Sequence, residues 1–405
     1  LFRRWGILAL LNLLIVALAG LFLRLLHIYS LPKVNYEFML HAHSHFAFAG
    51  WGFLALYTAF VQSFIPEKIS DNKSYKAMFW LMQIAAFGML FSFPFEGYAG
   101  ISISFSTLFV FVSYWFSWRF FKDTKPESKN LVSVKFAKAG LIFLVISSIG
   151  PFALGPIMAN GGRGSHLYFN ALYFYLHFQY NGWFSFGVFA LLFRWMDQKQ
   201  LIYSKKSAIL FYRLTVWACV PAFLLSVLWI HPDPWVYFFA GIGGVIQATA
   251  LIPFWKIVRE CNSAIGNQLS KMVKVLFSLS AALFTIKLTL QLLSAIPIIA
   301  QWAYEIRNFV IGYLHLVLLG FITLFLLALF IEKRLLVIDQ RSVRWGLGCF
   351  VVGILITELL IFSQGFASLL NIPIPNFNGI LFFASVLLPA GLVLILYGQF
   401  RKKLN

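Results

Sequence analysis

The stretch Leu40-His41-Ala42-His43-Ser44-His45-Phe46-Ala47-Phe48-Ala49-Gly50-Trp51-Gly52 sets three histidines at alternate positions near the start of an apolar run over 39–64. At about 1.5 Å per residue such a run crosses a hydrocarbon core roughly 30 Å thick as a helix. On that helix His41 and His45 are four residues apart and share a face, about 6 Å from one another along the axis, while His43 points to the opposite side. An imidazole within hydrocarbon is costly unless paired, so these side chains point to a functional site. A hydrated cluster at the helix entrance is the competing reading for His41 and His43, and hydrogen bonding between helices is the competing reading for His45.

Eleven further apolar runs, near 6–27, 77–96, 101–121, 138–158, 167–193, 208–230, 235–255, 273–297, 308–331, 345–364 and 378–400, surround this one. With 61% hydrophobic and 11% charged residues over 405 positions, the chain lies outside the range of soluble globular domains. The runs lack the alternation of barrel strands, and helices satisfy every backbone polar group internally. The expectation is an all-α membrane protein of twelve transmembrane helices forming one integral membrane domain, 1–405.

A net charge of +19 raises the question of nucleic acid, and the placement of the basic residues answers it. Of the 32 Lys and Arg residues, 27 fall at the termini, in the loops after even-numbered helices or in the ends of the runs that flank those loops. Only Lys33, Arg163 and Arg307 fall in the opposite loops, and Arg24 and Lys287 lie within spans. That asymmetry places both termini in the cytoplasm and makes the charge a matter of topology and anionic lipid, with no nucleic acid partner. The first span follows Arg3 and Arg4 with no small-residue cleavage site, so it is expected to be a retained helix. Cys219, Cys261 and Cys349 form no CxxC or CxxCH motif, and support neither a disulfide framework nor covalent haem.

Self-similarity supplies the organisation. His45-Phe-Ala-Phe-Ala-Gly50-Trp51, His177-Phe-Gln-Tyr-Asn-Gly182-Trp183 and His315-Leu-Val-Leu-Leu-Gly320-Phe321 share a histidine, four residues, a glycine and an aromatic. They fall on the second, sixth and tenth helices, which predicts three parallel four-helix repeats, 1–125, 126–262 and 263–405, about a pseudo-three-fold axis. All three histidines then lie roughly 10–14 Å below the outer ends of their helices. The glycine admits close approach of a neighbouring helix or a flat ligand.

Neutral imidazole is a usual axial ligand of haem iron, which makes haem the first cofactor to consider. Twelve helices in three repeats, with histidines on helices two and ten and the run His41-Ala-His43-Ser-His45-Phe-Ala-Phe-Ala-Gly50-Trp51, resemble the catalytic subunit of the haem-copper oxidase and nitric oxide reductase superfamily. The resemblance implies a haem b held axially by His45, or His41, together with His315. It further implies copper or another second metal at His177, with His43 as an additional second-site donor. The chain departs from that pattern in three ways: helix ten carries one histidine, the span 208–230 carries none, and Asn181 stands four residues after His177 where oxidases place tyrosine. These departures argue against an oxygen-reducing proton pump.

Arg24 and Arg163 suit haem propionates, because guanidinium forks match carboxylates, although headgroup snorkelling explains Arg24 equally well. Lys287, Glu358 and Glu96 are candidates for a proton route, and Lys287 with Glu358 as a structural ion pair is the simpler alternative. The expected function is electron transfer or redox handling of a small gas, nitric oxide or oxygen, in a bacterial cytoplasmic membrane with a quinol or cytochrome donor. The alternatives are non-enzymatic haem or copper handling, or nitric oxide tolerance, on the same fold, and, from a different class, a proton-coupled transporter.

Overall fold

The computed structural model describes residues 1–124, 130–266 and 269–401, the side chains of 262–266 and 401 excepted. The repeat boundary expected at 125/126 lies outside them. Eleven helices among the described residues are long and apolar enough to cross a membrane. In chain order they are α1 (Phe2–Leu26), α2 (Tyr36–Phe64), α3 (Lys73–Glu96), α4 (Gly100–Asp123), α5 (Val132–Ala159), α7 (Lys205–Ile230), α8 (Pro234–Cys261), α9 (Lys271–Leu293), α10 (Arg307–Glu332), α11 (Arg341–Leu369) and α12 (Phe377–Phe400). Between α5 and α7, residues 166–198 form a further unbroken helical stretch, α6, which falls short of the same apolar standard. Its deficit comes from His166, Asn170, His177, Gln179, Asn181 and Asp197. The protein is therefore a multi-pass membrane protein.

Three of these helices change pitch at the motif identified in the sequence. Ala47–Phe53 in α2, Phe178–Phe184 in α6 and Leu316–Ile322 in α10 are π-helical turns, and each follows its motif histidine within two residues. Single π turns inside α-helices are uncommon and concentrate at functional sites. The motif glycines sit within them at tight contacts: a Cβ at Gly182 would stand 2.6 Å from Phe143 Cβ in α5, and one at Gly320 would stand 2.8 Å from Leu283 Cδ1 in α9. At Gly50 the obstructing group is the ring of Phe46, one turn earlier in the same helix.

The chain divides into two compact units, residues 1–123 with 323–405, and residues 124–322, with the boundary inside α10. In the first unit Trp5 of α1 stacks on Phe79 of α3 at 4.4 Å between ring centres, and Tyr57 and Phe116 extend that aromatic core. Asn12, only 1% exposed, donates to the carbonyl of Gly50 at 2.6 Å and exchanges two hydrogen bonds with Gln83, each 3.0 Å. The π turn makes this possible: Leu54 N–H bonds the carbonyl of Trp51, which leaves that of Gly50 for a side chain. Trp51 donates from its indole to Thr323 Oγ1 at 2.8 Å. Helices α11 and α12 pack through reciprocal glycines, since a Cβ on Gly346 would lie 2.6 Å from the carbonyl of Gly391, and one on Gly391 2.7 Å from that of Gly346. Small residues at such crossings let helices approach where lipid supplies no hydrophobic drive.

In the second unit Phe136, Phe189, Phe211, Phe254 and Phe284 form a continuous aromatic core. Helix α7 tightens to 3-10 pitch from Pro221 to Ile230, because proline has no N–H to continue the α ladder. Phe223 N–H accordingly bonds Val220 O, which leaves the carbonyl of Cys219 available to a side chain. The other two motif helices also receive a polar partner from the preceding odd-numbered helix: Gln179 donates to Ser147 of α5 at 2.9 Å, and Ser280 of α9 donates to the carbonyl of Phe321 at 2.8 Å.

Candidate functional site

The three histidines of α2 divide between two directions, as their spacing requires. His41 and His45 both lie against Tyr98 and Phe93 at the α3 end: His45 stacks on Phe93 at 4.6 Å and its Nε2 shares a hydrogen bond of 2.8 Å with the Tyr98 hydroxyl. His41 Nε2 stands 3.6 Å from Glu37 Oε1. His43 turns the other way, toward α1, where a Cβ on Gly20 would meet its ring at 3.1 Å. Its Nδ1 lies 3.1 Å from the carbonyl of Val16. A carbonyl only accepts, so Nδ1 carries the proton and the neutral ring presents its lone pair at Nε2. A backbone carbonyl behind one ring nitrogen, with the other nitrogen left basic, is the arrangement that orients metal-ligating histidines.

Arg24, near the end of α1, acts electrostatically on His43 and on Glu358 of α11. Glu358 is buried, at 7% exposure. Its electrostatic partner is thus an arginine of the same unit, a relation the sequence did not disclose. Glu96 is committed differently: its Oε1 accepts from Ser102 N–H at 2.6 Å, placing a carboxylate on the first turn of α4, where the helix dipole favours negative charge. Arg163 is exposed in a turn whose glycines, Gly161 and Gly164, have φ of 73° and 80°.

His177 in the second unit has no exposed surface. Its Nε2 lies 2.8 Å from the carbonyl of Cys219 and its Nδ1 3.0 Å from Asn181 Nδ2. The first contact requires a proton on Nε2, and Nδ1 then accepts from the Asn181 amide, so both ring nitrogens are spent. This ring does not fit the second-metal role expected of it. Among the described residues no three His, Cys, Asp or Glu side chains gather in a way that would hold a metal ion. His315, the histidine of the third motif, is half-buried in the same unit. His166 packs edge-on against Trp229, 5.2 Å between ring centres. Lys287 is 2% exposed and its Nζ lies 5.9 Å from the centre of the Phe284 ring.

Sequence reasoning did not name the partners of these histidines. Tyr98 on His45, Val16 on His43 and Cys219 on His177 all come from other helices. Asn181 alone carried a signal, since a residue four positions after a helical histidine lies on its face.

With this arrangement the chain is similar over 99% of its length to the cryo-EM structure of a heme-copper terminal oxidase dimer, covering 84% of that chain, with a TM-score of 0.61 and 13% sequence identity. No family model and no curated protein matches the sequence. The likeness defines the fold, and the protein is a multi-pass membrane protein with the fold of a heme-copper terminal oxidase.

Proposed function

We propose that the protein is a haem-binding membrane redox protein, and that a histidine of α2 supplies an axial ligand to a haem b. The observation that carries this reading is the His43 ring, fixed by the Val16 carbonyl with its Nε2 lone pair presented. His43 therefore stands ahead of His45, whose Nε2 is held by Tyr98, and of His41, which pairs with Glu37. Arg24, whose charge acts on His43, suits a propionate carboxylate. When bound, the haem supplies reversible one-electron chemistry, and this chain's residues supply the ligand, its orientation and a dry surrounding.

The twelve-helix, three-repeat topology with cytoplasmic termini belongs to this proposal, supported by the recurrence of a π turn directly after each motif histidine and by the charge asymmetry of the loops. So does a bacterial inner-membrane location with a quinol or cytochrome donor. A second reading, haem handling or nitric oxide tolerance without turnover of a gas, is favoured by His177, because a ring with both nitrogens engaged builds no second metal centre.

Protein purified from haem-replete cells is expected to show a Soret band and sharp reduced α and β bands. His43→Ala should abolish the six-coordinate spectrum while His45→Ala retains it. A colourless wild-type preparation would refute the haem reading, and an unchanged spectrum in His43→Ala would refute the ligand. Steady-state consumption of oxygen or nitric oxide by the loaded protein separates the first reading from the second.

A further inference from the structure

A small cavity of about 10 Å³ lies in the second unit, bordered by Lys287 and Leu288 of α9, Asn181 and Ser185 of α6, Thr215 of α7 and Gln247 of α8. That is room for a single water molecule. Lys287, Asn181 and Gln247 are 2%, 3% and 5% exposed. The Oδ1 of Asn181 and the Oε1 of Gln247 have no hydrogen-bond partner among the described residues. Ser185 and Thr215 spend their protons on the carbonyls of Tyr180 and Phe211, so they too offer only lone pairs to the cavity. Four acceptors therefore border a space that also meets one cationic side chain, Lys287.

The carboxylates of this unit do not reach that space. Among the described residues Asp197 is bonded to Tyr203, Glu260 to the Ser204 N–H and Glu305 to Gln301, all near helix ends, and Asp233 precedes the first turn of α8. An ammonium buried without a carboxylate needs other acceptors, and a water with two to four polar partners is the group that reaches them.

We infer that Lys287, Asn181 and Gln247 hold one internal water in this cavity, and that the resulting hydrated ammonium is the resident cation of the second unit, in place of a metal ion at His177. Asn181 joins the two halves of the arrangement: its amide N–H occupies His177 Nδ1, and its oxygen faces the cavity. The charge of Lys287 also acts on His177 and on Cys219, so a metal cation at that imidazole would meet both a missing lone pair and a fixed like charge. The inference stands apart from the haem reading, which concerns the first unit, and haem content does not decide it.

Copper analysis and a thermodynamic cycle test it. Wild-type protein and His177→Ala, each incubated with Cu(I) and passed through a desalting column, should retain the same copper by mass spectrometry. One equivalent of copper retained by the wild type and lost in His177→Ala would overturn the inference, and the wild-type half of this measurement needs no variant to fold. In thermal melts of Lys287→Met, Gln247→Leu and the double variant, a shared water makes the losses overlap, so the double variant should melt no lower than the worse single one. Fully additive melting shifts would mean that no water couples the two side chains.

Discussion

Replacing Asn12 with leucine removes a side chain that joins α1, the π turn of α2 and α3 in the first unit through polar contacts. The substitution keeps the number and branching of side-chain heavy atoms but deletes three hydrogen bonds, one to Gly50 O at 2.6 Å and two with Gln83 at 3.0 Å. Side-chain hydrogen bonds between membrane helices average about 0.6 kcal/mol, which gives about 2 kcal/mol for the three. The amide of Gln83 and the carbonyl of Gly50 are then stranded in a nearly dry interior, and each such orphan adds about 1 kcal/mol or more. The expected loss is about 2 to 4 kcal/mol, measured by equilibrium unfolding in mixed detergent and SDS micelles with tryptophan fluorescence as the probe. Adding Gln83→Leu removes one stranded group together with its partner. The double variant should therefore lose less than the sum of the single losses, with a coupling of about 1 to 2 kcal/mol. A single loss below about 0.5 kcal/mol, or strict additivity in the double variant, would refute the reasoning.

Three further outcomes follow from contacts in the same unit. Gly391→Leu should separate α11 from α12 and cost about 1 to 3 kcal/mol, read as a lowered melting temperature, because its Cβ would overlap the carbonyl of Gly346; unchanged melting would show that the crossing has slack. Trp51→Phe should cost about 1 kcal/mol through the lost bond to Thr323, and Thr323→Val in that background should add little, which the same unfolding assay checks. Asp123→Asn leaves Arg119 without its 2.9 Å partner, at side-chain exposures of 16% and 9%, and weakens the bond from the Tyr75 hydroxyl. A loss of about 3 kcal/mol is expected from so buried a pair, and a melting curve like that of the wild type would count against it.

The helices were legible because hydrocarbon enforces a simple rule: a run of some twenty apolar residues has few other ways to satisfy its backbone. That rule weakened at α6, where Asn170, His177, Gln179 and Asn181 lower the apolar content of a helix that is nonetheless continuous. The division of the α2 histidines was also legible, since it depends only on the angle per residue, and Tyr98 and Val16 occupy the two sides it defines. What each histidine meets was not legible. His43 and His177 are chemically identical in the sequence, and the carbonyls of Val16 and Cys219 come from helices at other places in the chain. The Cys219 carbonyl is free for a reason local to α7, the change of pitch at Pro221, but its use depends on packing against α6. The electrostatic relation of Arg24 to Glu358 was not legible either, since α1 and α11 are far apart in the chain and meet only in the folded unit.

The wide turns after the motif histidines amount to insertions of a single residue that the helices have kept. A π turn accommodates one residue more than the α-helix around it, and one residue corresponds to about 100° of rotation. Wound at ordinary α pitch, the seven residues Ala47–Phe53 would swing Tyr36–Phe46 through about 100° relative to Leu54–Phe64; the wider turn cancels that rotation, so deleting one position there would restore an ordinary helix with its two flanks still in phase. The segment Tyr36–Phe46 carries the histidines and the segment Leu54–Phe64 is buried almost throughout, so the two have different angular requirements. The wide turn holds that phase despite the extra residue, and what a deletion would remove is the carbonyl of Gly50 left open to Asn12.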